Sequence, residues 1–254
     1  FNNSVKIFLY EKSVLLKKIQ KKKIRTGNVK WIKDFQKIKK GPIIFFGNEF
    51  FDAIPIKQFE KKNEKVYEKY LKIDKNSSLK TILKKAPIKI VRELKKFKLL
   101  KRNGIIEYPK LGFRELEAMV RKIKKFDGGL LLIDYGFLKQ ENISTLQSIK
   151  SHKKNRIFNN IGNADITSLV NFTLLKDYLS KNELTLNKVV SQSFFLKRVG
   201  ILSRAEILGN RMSFKEKTDL YLRLKRLLDP KYMGDLFKVI FAYKTKKKFL
   251  LGFK

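Results

Sequence analysis

Short apolar runs of strand length alternate with stretches of helical spacing along most of this chain. Residues 5–10 are apolar, β-branched and aromatic, and predict a buried strand. The run ends at Glu11, and Ser13 stands where it can cap a helix over 14–22. Gly27-Asn28 marks a turn, with strands predicted on either side of the next polar stretch, at Val29–Ile32 and 43–46. Residues 56–60 and 65–71, joined around 61–64, predict a hairpin. Residues 77–101 read as helical and fall outside the alternation, so they are expected to belong to an insertion.

Farther along, Phe113, Leu116, Met119, Val120, Ile123 and Phe126 share one face of a predicted helix over 113–126. Gly128-Gly129 stops it. Residues 130–134 then read as a wholly apolar strand, of the kind covered on both faces of a parallel sheet. Helix, glycine stop and buried strand make a crossover unit, which predicts an α/β fold. Residues 137–202 mix short signals, with a turn-rich patch at 155–163. Phe214–Leu228 predicts a helix closed by Asp229-Pro230. Residues 237–243 and 248–253, with a Lys-rich turn between them, predict a terminal antiparallel hairpin.

Composition narrows the classes. At 254 residues with 43% hydrophobic and 12% aromatic content, the chain can fill a core. No apolar run reaches the roughly 18–20 residues that span a bilayer. With no cysteine and a single histidine, His152, disulfides, thiolate–metal sites and multi-histidine metal centres are excluded, and no metal is expected. The 60 Lys+Arg against 23 Asp+Glu give a formal charge of +37, enough for non-specific binding of polyanions. The excess is mostly lysine and is spread over nearly every segment. That pattern fits a solvated, compositionally biased surface better than a nucleic-acid groove, which concentrates Arg and interleaves aromatics. The composition suits a soluble, cytoplasmic, bacterial setting.

The richest chemistry lies in 41–55, where an apolar strand ends in Asn48, Glu49, Phe50, Phe51 and Asp52, before Pro55. Ligands of open α/β sheets bind in the crevice at the carboxyl ends of the strands. Polar groups packed just after a buried strand are therefore the leading site candidates. Plainer readings stand beside the functional ones. Asp52 can cap the turn before Pro55, Asp134 can cap a loop, and His152 can be a surface residue or a core donor. Phe45, Phe46, Phe50, Phe51 and Trp31 can simply pack.

The ordered strands and crossover helices resemble class I methyltransferases, and the motifs resemble one family of them. Gly41-Pro42 with Asn48-Glu-Phe-Phe-Asp-Ala-Ile-Pro55 is similar to the "GP…NEFFDALP" segment of the MidA family. Glu107-Tyr-Pro109, Gly128 to Gly136 ("GG..LLIDYG"), Thr145-Leu-Gln147 with His152, Gly162 to Phe172 ("GEADITAHVDF"), Ser191 to Ile201 and Leu228 to Val239 follow in the family's order. The resemblance implies a Rossmann-like, doubly wound sheet with insertions at 56–105 and 137–202 covering the acceptor side. It implies S-adenosyl-L-methionine as cofactor and arginine N-methylation of a protein, such as a respiratory complex I subunit, as the reaction. For eukaryotic members it implies the mitochondrial matrix.

On that resemblance Glu11 holds the cofactor ribose, with Ser13, Asn48 and Glu49 beside the cofactor. Glu49 and Asp52 form the acceptor-facing pair, and Asn48, Glu107 and Asp134 complete the catalytic set. Phe50, Tyr135, His152, Asp165 and Thr167 line the substrate side. Family members begin with a strand and a Gly-rich loop. Neither precedes Val5, so an incomplete amino terminus is expected. Asn163 and Asn171 stand where the family has Glu and Asp. Two other functions remain in view: a catalytically inactive assembly factor with the same fold, and an RNA-binding protein or RNA methyltransferase.

Overall fold

The computed structural model describes residues 4–76, 78–139, 141–151 and 153–254. From the amino end, β1 (Ile7–Tyr10), α1 (Val14–Lys23) and β2 (Val29–Ile32) form a strand–helix–strand unit with β1 and β2 parallel. Ser13 caps α1 as expected, its hydroxyl accepting from the Leu16 N–H. β3 (Ile43–Asn48) follows and runs two residues past the predicted end. The chain then leaves the parallel layer for an antiparallel sheet. β4 (Lys57–Lys62), β5 (Lys65–Ile73) and β6 (Leu79–Lys85) lead to α2 (Ile88–Lys96). β7 (Gly104–Tyr108) pairs with the other edge of β4, giving the order β6-β5-β4-β7.

The expected helix over 77–101 is therefore half strand; its first residue, Ser77, lies outside the described residues. Leu79, Ile82 and Leu83 are three to four residues apart and mimic a helical face. Yet Leu79–Lys85 finds a complete partner in β5, with Leu79 opposite Ile73 and Lys85 opposite Tyr67. Pro87 then opens α2, at the one place where its missing N–H costs nothing.

α3 (Lys110–Phe126) returns the chain to β8 (Gly128–Phe137), the central strand. α3 buries Phe113, Leu116, Met119, Val120 and Ile123, the face read from the sequence. A fully buried Leu or Ile side chain contributes roughly 1.5–3 kcal/mol, so this face fixes the helix on the sheet. Gly128 makes the turn into β8 at φ +123, where a Cβ would lie 1.8 Å from the Ile43 carbonyl oxygen. β8 pairs with β3 in parallel, Gly128 opposite Ile43 and Ile133 opposite Asn48.

β9 (Gln147–Lys150), β10 (Lys153–Asn155) and β11 (Asp165–Thr167) make a small antiparallel sheet in the order β10-β9-β11. β12 (Val170–Asn171) joins the end of β8 in parallel and leads into α4 (Phe172–Lys181). Asn171, at the position of the family's Asp, caps α4 by accepting from the Leu174 N–H at 3.0 Å. β13 (Thr185–Leu186), β14 (Val190–Ser191), α5 (Gln192–Arg198), α6 (Ile201–Gly209), α7 (Phe214–Leu228), α8 (Met233–Leu236) and β15 (Phe237–Lys244) complete the chain.

β15 runs antiparallel to β8 along its length, Phe237 opposite Tyr135 and Lys244 opposite Gly128. The terminal antiparallel strand is thus present, but its other partners are β13 and β14, not residues 248–253. Those residues form no strand. They instead bring Phe249 and Phe253 against the Phe241 ring. No described strand pairs with the second edge of β1 or of β3.

Candidate active site at the carboxyl ends of the parallel strands

Residues 48–54 fold as a tight turn off the end of β3. Glu49 adopts φ 50, in the left-handed region that costs a non-glycine residue energy. Its N–H donates to the Ile133 carbonyl at 2.9 Å, so β8 holds the strained residue in place. Asn48 donates its side-chain amide to Glu49 Oε1 at 3.2 Å, and both side chains are exposed at the crevice mouth. Phe51 turns inward and seats its ring on Gly112 of α3, where an added Cβ would come within 2.6 Å of the ring. Phe50 packs edge-on against Phe51 at 5.8 Å.

Two carboxylates lie beneath the turn. Asp134, 1% exposed, accepts the Phe51 N–H at 2.8 Å and the Asp52 N–H at 3.4 Å on Oδ2. Its Oδ1 accepts the Tyr135 N–H at 3.1 Å. Burial pushes Asp134 up to about 7, with the Asp52 carboxylate adding to the shift and the three N–H donors opposing it. Asp52 is 7% exposed, and its Oδ1 has no hydrogen-bond partner among the described residues. The Tyr135 phenol faces Asp52 on one side and Thr167 on the other; burial and the Asp52 carboxylate both push its pKa upward. Gln147 donates to the Thr167 hydroxyl at 3.3 Å, and the Phe237 ring packs on Tyr135 at 5.4 Å.

The end of β1 reaches the same part of α3. Tyr10 and Lys12 both bind Glu115, at 3.0 and 2.6 Å, one turn from the Gly112 seat of Phe51. Glu11 therefore stands on the same edge as the turn. Its Oε1 accepts the Ser13 N–H at 2.8 Å, and its Oε2 accepts from Gln20, which in turn accepts from Trp31. Trp31 is thus bonded as well as packed.

The structure brings together Asn48, Glu49, Phe50, Asp52, Asp134, Tyr135 and Thr167. Other expected residues have different partners. Glu107 anchors a loop, taking donors from Gln58, Ser144, Thr145 and Leu146 on its two oxygens, and it lines a small cavity together with Phe51. The Ser13 hydroxyl is occupied by its cap. Asp165 is exposed on β11, and His152 lies outside the described residues. Asp34, two residues past the end of β2, is an acid that the sequence reading does not single out. Its side chain accepts the Gln36 N–H at 2.8 Å beside Phe35, whose ring links Tyr10 to Phe45. The signal is present in the chain, because an acid follows a predicted strand there just as Glu11 does.

The profile of a family described as "Putative S-adenosyl-L-methionine-dependent methyltransferase" matches residues 1–190. A Caenorhabditis elegans protein named protein arginine methyltransferase NDUFAF7 homolog, mitochondrial, is 31% identical over 205 residues, 79% of this chain and 48% of its own length. The human protein arginine methyltransferase NDUFAF7, mitochondrial, is 27% identical over 212 residues, 82% of this chain and 47% of its own. The chain spans about half the length of these curated relatives. A Burkholderia thailandensis protein crystallised with S-adenosyl-homocysteine shares the fold. It superposes with a TM-score of 0.81 at 21% identity, over 98% of this chain and 66% of that one. Another structure from the same organism gives a TM-score of 0.82 at 20% identity, covering 98% and 68%.

Proposed function

The chain belongs to the S-adenosyl-L-methionine-dependent methyltransferase family whose profile spans residues 1–190, and on that premise we propose that the protein methylates an arginine side chain of a protein acceptor. The observation that carries the acceptor side is Asp52. A buried carboxylate oxygen without a donor costs about 1–3 kcal/mol or more, and Asp52 Oδ1 is such an oxygen. An N–H of an entering guanidinium would satisfy it. Carboxylate–guanidinium pairs fix a planar geometry, and placing the nucleophile supplies much of the acceleration in an in-line displacement.

The Tyr135 phenol, with Thr167 on its other side, faces Asp52, Asp134 pins the turn that carries Asp52, and exposed Glu49 offers a second carboxylate at the rim. Asp52 orients the acceptor and takes the proton that its nitrogen sheds. The cofactor, when bound, supplies an electrophilic methyl group on a sulfonium. Glu11 and the Asn48–Glu49 pair would hold it. Glu11 fits because a carboxylate offers about four lone-pair sites, and Ser13 and Gln20 occupy only one on each oxygen. Segment 56–105 and the 137–169 part of segment 137–202 form the acceptor-side cover, with Asp165 and Thr167 ordering its inner edge; from β12 onward the second segment belongs to the central sheet and its helices and is no insertion. A subunit of a respiratory complex is the acceptor class that the family resemblance favours.

The test is methyl transfer by the full-length protein from tritiated cofactor into a protein extract, followed by hydrolysis and amino-acid analysis. Label in methylarginine is expected. Label only in RNA or lysine, or none above a blank, overturns the proposal.

A further inference from the structure

α7 and α8 leave a groove of about 460 Å³ at the carboxyl end of the molecule. Its floor is apolar: Leu222, Tyr232 and Leu236 are 55%, 54% and 47% exposed, with half-buried Met233 between them. Phe214 and Tyr221 are also exposed on α7, nearer its amino end and outside the groove lining. No residue of α7 is buried, so the helix carries two stripes. Leu220, Leu224, Leu227 and Leu228 face the molecule, while Phe214, Tyr221 and Leu222 face out. An exposed apolar groove is the kind of surface into which an amphipathic helix lays its apolar face.

The rim decides the occupant. Lys225, Arg226 and Lys231 line the groove, no acid does, and none of their cationic heads makes an ion pair or hydrogen bond among the described residues. A second copy would bring its own share of a formal +37 against this rim, so self-association is opposed. An acidic partner is complementary. The place is also informative. α8 runs directly into Phe237, which pairs with Tyr135 and packs on its ring, so the chain that floors the groove continues into β15 beside the end of β8.

We propose that the α7–α8 groove docks an acidic amphipathic helix of a partner protein. Leu222, Tyr232 and Leu236 receive its apolar face, and Lys225, Arg226 and Lys231 its carboxylates. This docking role goes beyond methyl transfer and does not depend on it, because the groove is defined by exposure and charge alone.

The probes are two fluorescein-labelled synthetic peptides of one composition, rich in Leu and Glu. One has its Leu residues at i, i+3, i+4 and i+7; the other has them scrambled. Anisotropy is read at about 150 mM salt, where exposed charges beyond about 8 Å are screened. The patterned peptide is expected to bind at least tenfold more tightly than the scrambled one. The double variant Leu222→Ser/Leu236→Ser should abolish that preference with the circular dichroism unchanged. Lys225→Glu/Lys231→Glu should weaken binding of the patterned peptide at least fivefold. Equal binding of the two peptides, or a preference that survives the Leu222→Ser/Leu236→Ser change, overturns the proposal. Phosphatidylserine vesicles form a third arm. Vesicle binding that depends on Leu222 and Leu236, with no peptide preference, would assign the groove to a membrane surface and also overturn it. Methyl transfer is not read, so failure here leaves the enzymatic proposal untouched.

Discussion

α3 and α7 are both long amphipathic helices, yet α3 buries six residues and α7 buries none. The difference lies in what each apolar face meets. α3 lies on β3, β8 and β15, and its first turns carry the candidate site: Gly112 seats Phe51, and Glu115 ties down the end of β1. α7 begins with a reciprocal capping box, in which Ser213 accepts from the Glu216 N–H and Glu216 accepts from the Ser213 N–H. Local chemistry starts α7, whereas burial places α3. The contrast separates a frame that must hold a strained turn still from a surface that keeps apolar side chains available.

Breaking the frame should cost most. Leu116→Ala, at a fully buried site on α3, is expected to lose about 2–5 kcal/mol in urea unfolding. Leu222→Ala on α7 should stay within about 0.5 kcal/mol. Equal losses would erase the distinction.

The next largest effect is a pH dependence carried by Asp134. Its folded pKa is raised to about 7, above the ordinary carboxylate value, so the folded state holds a proton that the unfolded chain releases. The stabilisation is fully present below the unfolded value, near pH 4, and is lost as pH rises toward 7, at roughly 1.4 kcal/mol for each pH step of one across that window. Asp134→Asn should flatten stability there. Asp74, held down to about 2 by Lys80 and Ser78, contributes with the opposite sign and only at lower pH. A fall of the same size in Asp134→Asn would contradict the assignment.

Gly112→Ala comes third. The added methyl would lie within 2.6 Å of the Phe51 ring, and an overpacked core site typically costs about 1–3 kcal/mol. The displaced ring should disturb the Asn48–Asp52 turn, so methyl transfer should fall even where the chain remains folded. Full activity together with unchanged stability would show that the seat is loose. Smallest is Ser213→Ala, worth about 1 kcal/mol as a lost cap, seen as fraying of α7 by hydrogen exchange while α3 stays protected.

The same contrast explains what can be read from the chain. α3, α7 and β8 are legible because each carries its own periodicity or an unbroken apolar run. β6 is not, because Leu79, Ile82 and Leu83 sit at helical spacing and only the length of β5 beside them decides for strand. The predicted terminal hairpin fails for a similar reason. β15 lies on β8 with one edge and takes its other partners from two-residue strands about fifty residues earlier, too short to leave a pattern. Within the site, the residues that share one turn or one strand end come together as expected: Asn48, Glu49 and Asp52, with Asp134 and Tyr135. Glu107 carries the same residue type in a similar setting. Its donors come from residues 144–146, brought to it by the fold, and no local pattern announces them.

At the centre stands the assignment of Asp52 to the acceptor and not to the cofactor. It is tested most directly by Asp52→Asn, with cofactor affinity by calorimetry and single-turnover methyl transfer measured on the same sample. An amide keeps the shape but replaces a charged acceptor with a group that is half donor. Cofactor affinity is expected within about threefold of the parent, under 1 kcal/mol, with transfer slowed by at least a hundredfold, about 2.7 kcal/mol. Transfer at the parent rate, or cofactor binding lost together with transfer, would contradict it.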